Sequence, residues 1–358
     1  MKKNKYIGVE IFSGAGGLGT GAAMAGIEVA VAVEKDLYSL ETYKKNHPKT
    51  KNINKDIKEV NGEELIDRNP FIVFGGPPCQ GFSLSNTKTR NDCNENNHLF
   101  LEFIRIVKEL KPDWFLFENV AGILSYKNGE TVKKLQELFK ENGYKTNFDV
   151  LFASDYGVPQ ARNRFFMVGN KHNIDFAFPK KNNEKVTVEQ ALTDLPDLKN
   201  GDNFGELPYK KSKLSEYAML MRQNSKKSTQ NYVSRNQAYV IERYKYIKQG
   251  QNWQAIPDEL MQNYKDKNNC HSGIYKRLEA DKPSVVIANY RKNMLIHPFQ
   301  DRGLSVREAA RLQSFPDDYF FEGSLMHIQQ QIGNAVPPLL GKAIFEQIIR
   351  TQEEWITK

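Results

Sequence analysis

The chain has 358 residues, of which 39% are hydrophobic and 26% are charged, and its formal net charge at pH 7 is +8. This length suffices for two domains with buried cores, and the composition is that of a globular protein. No apolar run approaches the roughly 18 residues of a membrane-spanning helix, and none follows the first lysines as in a signal peptide. Three cysteines cannot form a disulfide framework, so we expect a cytoplasmic protein. The isolated pair Cys270-His271 is too little for zinc, and no metal site is expected.

The strand and helix patterns alternate over the first 170 residues. The strand patterns cover residues 6–12, 27–33, 71–76, 113–120 and 144–153. The helix patterns cover residues 19–26, 39–47, 98–112 and 130–143. This alternation predicts an α/β fold in which helices cover both faces of a parallel sheet.

The alternation ends near residue 171, and Asn, Lys, Asp and Pro become frequent as far as about residue 300. We therefore expect a second domain of irregular or mixed structure there. Helical spacing returns in residues 305–315 and 337–355. The last helix is expected to pack back on the first domain.

The positive charge is concentrated in one basic stretch, residues 207–248. It contains ten Lys or Arg, two Glu and six Tyr, so its net charge of +8 leaves the rest of the chain neutral. Basic residues interleaved with aromatic ones suit a nucleic-acid backbone and its stackable bases. A solvated lysine-rich surface with tyrosines turned inward explains the stretch equally well.

A glycine motif follows the first predicted strand. Residues 12–19, FSGAGGLG, match G-x-G-x-x-G at Gly14, Gly16 and Gly19. Glu34 ends the second strand, where an acid can accept hydrogen bonds from ribose hydroxyls. The pattern predicts a nucleoside-containing cofactor, and NAD and S-adenosylmethionine both fit. Asp56 and Ile57 would supply a polar contact and an apolar wall for adenine.

Cys79 stands in the segment GGPPCQGFS, residues 75–83, directly after another predicted strand. Pro77 and Pro78 fix two φ angles before it, and the glycines permit a tight loop. The thiol is therefore expected at the carboxyl end of the sheet, where open α/β folds bind ligands. Cysteine there is nucleophilic enough to add to an electron-poor carbon.

Three further polar residues are candidates for the same edge of the sheet. Glu118 ends the next strand, where partial desolvation favours a protonated carboxyl group that can act as an acid. Arg162 and Arg164 lie two residues apart, so an extended segment would project both to one face. A helix N-cap contact for Glu118 and a surface ion pair for the arginines are the structural alternatives. Their occurrence together with Cys79 favours a catalytic set.

Six segments together resemble the DNA cytosine-5 methyltransferases of bacterial restriction–modification type. They are EIFSGAGGLGTG, GGPPCQGFS, FENV, DYGVPQARNRFF, REAARLQSFPDDY and QIGNAVPPLLGKAI, in the order of that family. The resemblance implies a Rossmann-like, S-adenosylmethionine-dependent catalytic domain, residues 1–172 completed by 325–358. It implies a smaller mixed target-recognition domain over residues 173–324, which contains the basic stretch. The implied partners are double-stranded DNA and a cognate restriction endonuclease, without a membrane, and a monomer is the default.

The resemblance also implies roles for individual residues. Cys79 would attack C6 of a flipped cytosine, whose C5 then takes the methyl group. Glu118 would contact N3 and the exocyclic amine, Arg164 would help to hold the base and Glu118, and Arg162 would lie nearby. The implied cofactor contacts are Phe12, Gly14, Gly17, Glu34, Lys35, Asp56, Ile57, Pro78, Leu99, Asn334 and Val336.

The chain departs from the family pattern at two places. Lys35 stands where the family often has an aromatic residue, and its aliphatic stem would cover the adenine instead. Related chains often carry a PxxT stretch where this one reads KPSVVIANY, so Ser284 or Asn289 would substitute for the threonine.

Two other functions share part of this evidence. A tRNA cytosine-5 methyltransferase has the same catalytic motifs, but its distinctive Cys-Phe-Thr segment does not occur here. A non-catalytic DNA-binding relative would not need an intact catalytic set. An NAD dehydrogenase would leave the Pro-Pro-Cys-Gln segment unexplained.

Overall fold

The computed structural model describes residues 6–78, 99–223, 225–262, 273–288, 290, 292 and 294–357. The chain divides into two compact units. The first unit comprises Met1–Tyr156, Asn163–Lys181 and Val336–Lys358, and the second comprises Gly157–Arg162 and Asn182–Ala335. No helix in the described ranges is long and apolar enough to cross a membrane.

The described strands form a seven-stranded sheet in the first unit and a two-stranded antiparallel sheet in the second. They are β1 (Ile7–Ile11), β2 (Glu28–Glu34), β3 (Lys51–Asn54), β4 (Ile72–Gly75), β5 (Trp114–Asn119), β6 (Lys145–Phe152), β7 (Asn163–Asn170), β8 (Asn203–Pro208) and β9 (Lys227–Tyr232). The sheet has seven described strands in the order β3-β2-β1-β4-β5-β7-β6, and β8 pairs with β9.

The described helices lie between these strands and after them. They are α1 (Gly17–Met24), α2 (Leu37–Asn46), α3 (Gly62–Leu65), α4 (Leu99–Leu110), α5 (Glu130–Glu141), α6 (Val188–Leu192), α7 (Glu216–Arg222), α8 (Ala238–Tyr244), α9 (Val306–Leu312), α10 (Leu325–Asn334) and α11 (Pro338–Ile356). The predicted α/β class is confirmed, and each strand and helix predicted in the first 170 residues is found. The strands β3 and β7 and the short helix α3 were not predicted.

The sheet is parallel in only part of its width. Strands β1 to β5 are parallel neighbours, whereas β7 is antiparallel to both β5 and β6. The prediction of a wholly parallel sheet is therefore wrong for the strands β6 and β7. The connection from β6 to β7 carries no crossover helix, and a parallel pair needs a long crossover.

The apolar core of the first unit holds the strands in place. All residues of β4 and β5 are buried, as expected for central strands covered on both faces. Phe115 of β5 stacks on Phe139 of α5 with ring centroids 3.9 Å apart. Polar side chains of the first unit that could take part in a reaction are therefore expected at the ends of these apolar strands.

The second unit has the mixed structure that the sequence predicts between residues 171 and 300. It combines the two-stranded β8–β9 sheet with short helices. Its apolar cluster includes Val240, Tyr244 and Tyr275. Buried ion pairs supplement this cluster. Arg311 bonds to both Asp194 and Asp317, and all three side chains are at most 2% exposed.

Candidate active site

The glycine loop between β1 and α1 has the backbone expected for close approach to a ligand. Phe12, Gly14 and Gly16 have φ of 56°, 53° and 84°, in the left-handed region that favours glycine. The amide of Ser13 donates to the carbonyl of Val33 at 3.1 Å, which ties the loop to β2. Apart from Gly14 and its chain neighbours, no atom of the described residues lies within 4 Å of the position that a Gly14 Cβ would take. Open space therefore borders the backbone at Gly14.

Glu34 lies at the end of β2 and contacts this loop, as the sequence predicts. Its Oε2 accepts a hydrogen bond from the amide of Gly14 at 2.8 Å, and its Oε1 accepts one from Asp36 at 2.8 Å. Burial raises the pKa of the Glu34 carboxyl group, although these hydrogen bonds oppose the shift. Each carboxylate oxygen has a further lone pair, so the side chain can still accept from ribose hydroxyls.

Lys35 and Asp56 lie together beyond the ends of β2 and β3. The Lys35 Nζ is 3.7 Å from the Asp56 Oδ2, and 58% of the lysine side chain is exposed. The Asn54 amide group donates to the carbonyls of Glu34 and Lys35, each at 3.0 Å. The two predicted adenine contacts, Lys35 and Asp56, are thus neighbours in the fold.

Three of the apolar cofactor candidates share one cluster. Ile57 and Leu99 are buried in the core of the first unit, and Phe12 packs against the same core. Val336 is buried just before α11, whereas Pro78 is exposed after β4. Asn334 belongs to the second unit, where its side-chain oxygen accepts a hydrogen bond from Gln330 at 2.7 Å.

Ser13 gives an independent indication of a ligand at the glycine loop. Its Oγ is buried and makes no hydrogen bond with a described residue, and burying a hydroxyl group without a partner costs free energy. Helix α1 begins at Gly17, and its N-cap residue Gly16 makes no side-chain cap bond. The Gly19 amide donates to Glu10, which leaves the amides before it in the first turn as donors suited to ligand oxygens. These donors and the open space at Gly14 fit a nucleoside cofactor that carries a carboxylate.

Glu10 is a buried carboxyl group that the sequence analysis missed. It lies in β1, accepts from the amide of Gly19 at 3.1 Å and accepts from the Tyr43 hydroxyl at 2.7 Å. A Cβ on Gly19 would lie 2.2 Å from the Glu10 Oε2. The third glycine of the motif is therefore required by an internal carboxyl group, whereas the sequence suggested a ligand. The available signal was a lone acid within an apolar strand.

Glu118 and Arg164 form a largely buried ion pair at the end of β5. The Arg164 Nε is 2.9 Å from the Glu118 Oε1, and their side chains are 14% and 11% exposed. Burial lowers the pKa of the Arg164 guanidinium, and the Glu118 carboxylate opposes that shift. A Cβ on Gly76 would lie 2.3 Å from the Glu118 Oε2. Glycine at this position therefore lets the carboxylate lie against the strand that leads to Cys79.

The start of the predicted nucleophile loop is held at the same edge of the sheet. The Asn119 amide group donates to the carbonyl of Pro77 at 3.2 Å, and its oxygen accepts from the amide of Val120 at 2.8 Å. Cys79 itself lies outside the described residues. The described frame reaches Pro78, one residue before it.

Arg162 and Arg164 have separate environments. Strand β7 begins at Asn163, so it contains Arg164 and not Arg162. Arg162 belongs to the second unit, is 1% exposed and donates to the carbonyl of Gly333 at 2.9 Å. Its predicted catalytic role stays a prediction.

The protein family follows from comparison with known proteins. The model of the family described as C-5 cytosine-specific DNA methylase matches residues 6–350. The chain belongs to this family. It is a DNA (cytosine-5-)-methyltransferase, as the six sequence segments implied. The tRNA alternative has less support, because the family model describes DNA methylases.

The similar proteins agree with this assignment along the whole chain. The Type II methyltransferase M1.HphI of Haemophilus parahaemolyticus is 35% identical over 348 residues, which are 96% of this chain and 86% of that protein. M.DdeI of Desulfomicrobium norvegicum is 36% identical over 365 residues, with 95% and 88% covered. The crystal structure of a DNA modification methyltransferase encoded within an E. coli prophage matches with a TM-score of 0.81 at 28% identity, covering 98% and 100%.

The basic stretch of this DNA methyltransferase divides into inward and outward side chains. Arg243 is buried and donates to the carbonyl of Leu260, and Arg222 pairs with Asp194 at 2.7 Å. Tyr217 and Tyr244 are also buried. The cations that remain exposed are Lys211, Lys213, Lys226, Lys227, Arg235, Lys245 and Lys248. The inward tyrosines and exposed cations fit the solvated-surface interpretation, and contact of the exposed cations with nucleic acid stays a prediction.

The described residues contain no group of three or more His, Cys, Asp or Glu side chains arranged to hold a metal ion. Cys270, His271 and Asn289 lie outside the described residues. Ser284, the other candidate for the missing threonine, is buried and pairs through its backbone with Gln160.

Proposed function

We propose that this DNA cytosine-5 methyltransferase uses Cys79 as its nucleophile and S-adenosylmethionine as its methyl donor. The observation that carries the proposal is the Glu118–Arg164 ion pair lying against Gly76, three residues before Cys79. A carboxylate, a guanidinium and the approach to a thiol thereby share one edge of the sheet. This is the edge at which open α/β folds bind their ligands.

The proposed chemistry begins when the Cys79 sulfur forms a bond to C6 of the target cytosine. Glu118 contacts N3 and the exocyclic amine and shares a proton at N3, which offsets the negative charge that develops on the ring. Arg164 holds the Glu118 carboxylate and the base, and Arg162 completes the proposed catalytic set. Loss of the proton from C5 and expulsion of the Cys79 sulfur then restore the aromatic ring. The cytosine has to leave the duplex, because the sulfur approaches the face of the ring.

S-adenosylmethionine, when bound, supplies the electrophilic methyl group that C5 takes. The glycine loop would bind its amino-acid part through amides at the start of α1 that precede Gly19, and along the backbone at Gly14. Glu34 would accept from the ribose, and Asp56 would accept from the adenine amine. The proposed contacts are completed by Phe12, Lys35, Ile57, Pro78, Leu99, Asn334 and Val336.

The organisation and partners of the protein are part of the same proposal. Residues 1–172 and 325–358 would form the catalytic domain, and residues 173–324 the target-recognition domain. Exposed cations of the basic stretch would contact phosphates, while other polar side chains read bases. A cognate restriction endonuclease, a monomeric state and a cytoplasmic location next to the DNA substrate are also proposed.

Replacement of the nucleophile tests the mechanism. The Cys79→Ser variant should lose methyl transfer to duplex DNA from labelled S-adenosylmethionine while it still binds DNA and cofactor, because only the sulfur is changed. Cys270→Ser is the matched control and should keep full activity. Full activity of Cys79→Ser would contradict the covalent mechanism.

A second measurement traps the adduct. DNA with 5-fluorocytosine at the target carries no proton at C5, so methylated DNA should stay bonded to Cys79 and survive denaturation. Transfer to tRNA and not to duplex DNA would overturn the substrate. Specific DNA binding without any transfer by the unaltered protein would support the non-catalytic relative instead.

A further inference from the structure

Arg235 is an exposed cation in the basic stretch of the second unit. No hydrogen bond or ion pair links its guanidinium to another residue in the described ranges. Nearby cations of the stretch differ in this respect, since Arg243 donates to Leu260 and Lys245 pairs with Glu242. Arg235 therefore carries a full positive charge that the fold leaves available.

The backbone on both sides of Arg235 is held firmly. The Asn200 side chain accepts from the amide of Asn236 and donates to its carbonyl, each at 2.9 Å. On the other side, the Ser234 hydroxyl accepts from Gln329 at 2.9 Å. The amide of Val233 donates to the carbonyl of Asp202 at 2.8 Å. The Cα of Arg235 is thus fixed by contacts on each side.

The stem of the Arg235 side chain lies along Gly201. A Cβ on Gly201 would be 3.1 Å from the Arg235 Cβ, 3.2 Å from its Cγ and 2.7 Å from its Nε. Gly201 has φ of 81°, so both its conformation and its missing side chain suit this contact. The guanidinium is consequently pre-organised, and less side-chain entropy is lost when it binds an anion.

We propose that Arg235 binds a phosphate of the DNA backbone and sets the register of the second unit on the duplex. The inference rests on the proposal that this unit contacts DNA. Arginine forms paired hydrogen bonds with phosphate oxygens, and such contacts position a protein without reading sequence. A base edge is the poorer match, because the major groove is about 8.5 Å deep and this stem lies along the surface of its own unit. A phosphate at the rim of the groove is within reach of such a side chain.

Binding measured against salt concentration tests the inference. Arg235→Ala should weaken binding about tenfold at 0.1 M salt, the loss expected for one hydrogen bond to a charged group. The loss should be equal for target and non-target duplexes, and the slope of log K against log salt should become shallower by about 0.9. Arg235→Lys should keep the slope of the unaltered protein. The matched control is Arg350→Ala, which removes an exposed arginine of α11 and should change neither quantity.

Gly201→Ala supplies a test of the positioning contact. The new methyl group would displace the Arg235 stem, so the variant should lose DNA affinity when Arg235 is present and lose none in the Arg235→Ala background. Equal effects in both backgrounds would contradict the role of Gly201. Thermal unfolding of each variant checks that the fold is intact.

Two outcomes overturn the inference for Arg235. In the first, bisulfite sequencing shows that Arg235→Ala methylates sites that differ from the target at one base pair. Arg235 would then contact a base instead of a phosphate. Unchanged affinity and slope would remove it from the interface. The Arg235→Ala variant should still form the covalent adduct with saturating 5-fluorocytosine DNA. Failure of the unaltered protein to form this adduct would refute the proposed mechanism, which is a different outcome.

Discussion

At the scale of the residue, Glu10 shows how an apolar strand accommodates an acid. Burial raises the pKa of its carboxyl group to about 8, although the hydrogen bonds from Tyr43 and Gly19 oppose the shift. The neighbouring Glu34 carboxyl adds to the rise. Glu10 therefore keeps its proton at neutral pH. The neutral carboxyl group accepts a hydrogen bond from the amide of Gly19 in the first turn of α1.

This protonation predicts a pH-dependent stability. The unfolded chain releases the Glu10 proton above about pH 4.5, whereas the folded chain keeps it until about pH 8. The folded state binds more protons in this window, so the free energy of unfolding should fall as pH rises, by at most about 1.4 kcal/mol per pH unit. Glu10→Gln cannot ionise and should flatten this dependence in urea unfolding measured from pH 5 to pH 8.

Glu28→Gln is the matched control, because Glu28 is an exposed carboxyl group of the adjacent strand β2. It should leave the pH dependence as in the unaltered protein. A Glu10→Gln protein with the original slope between pH 5 and pH 8 would show that Glu10 ionises normally in the fold.

At the scale of the element, the last helix α11 packs on the first helix α1 through small residues. A Cβ on Gly21 would lie 2.6 Å from the carbonyl oxygen of Pro338 and 2.8 Å from the amide of Lys342. A Cβ on Gly341 would lie 3.1 Å from Leu18 of α1. The close approach agrees with the expectation that the terminal helix returns to the first domain. It also supports the helix that begins at the glycine loop.

Gly21→Ala tests this helix contact. The added methyl group meets backbone atoms that cannot rotate away, so the variant should be destabilised by about 1–3 kcal/mol, the range for overpacking. Urea unfolding gives the difference. Gly205→Ala is the control, because among the described residues a Cβ at this position would approach just the Tyr232 hydroxyl, at 3.9 Å. Equal stability of the Gly21→Ala and unaltered proteins would contradict the close packing of α1 and α11.

The strand at the side of the sheet, β6, is protected against further pairing. The amide of Phe148 donates to the Asn147 side chain at 2.9 Å, and the amide of Val150 donates to Asp149 at 2.7 Å. These two donors are therefore not offered to a strand of another molecule. Side-chain groups that satisfy an edge in this way limit aggregation.

At the scale of the whole molecule, the two units are stabilised by different interactions. The first unit relies on an apolar sheet core, and the second adds charges that are buried in pairs. Arg311 bonds to Asp194 and Asp317, and Arg302 bonds to Glu308 through both terminal nitrogens at 2.8 and 2.7 Å. The Arg302 guanidinium holds the pKa of the Glu308 carboxyl at about 2 against the effect of burial.

Removing one member of a buried ion cluster predicts a large loss of stability. Arg311→Met leaves the carboxylates of Asp194 and Asp317 without their shared cation, which should cost about 3–5 kcal/mol. Denaturant unfolding of the full chain measures the loss. Lys227→Met is the control, because its pair with Glu206 is 60% exposed on each side and such surface pairs contribute little. A loss below 1 kcal/mol for Arg311→Met would contradict the importance of the cluster.

The amino-acid sequence by itself determined the α/β class and the segments that carry the chemistry. These features are local: the alternating strand and helix periods, the glycines after β1 and the acid at the end of β2. Each lies within a short stretch of sequence, so it can be identified without knowing the fold. They placed Glu34 and the glycine loop at the carboxyl ends of adjacent parallel strands, and the hydrogen bond between Glu34 and Gly14 was found in the structure.

Only the tertiary structure decided which distant residues are partners. It paired Glu118 with Arg164 and showed that the Glu10 carboxyl group leaves no room for a side chain at residue 19. It also buried Arg243 while leaving Arg235 exposed. Residues such as Glu118 and Arg164 meet because strands far apart in the chain become neighbours in the sheet. Hydrophobic period indicates which apolar side chains are buried, but the fold alone decides which charged side chains are buried and against which partner.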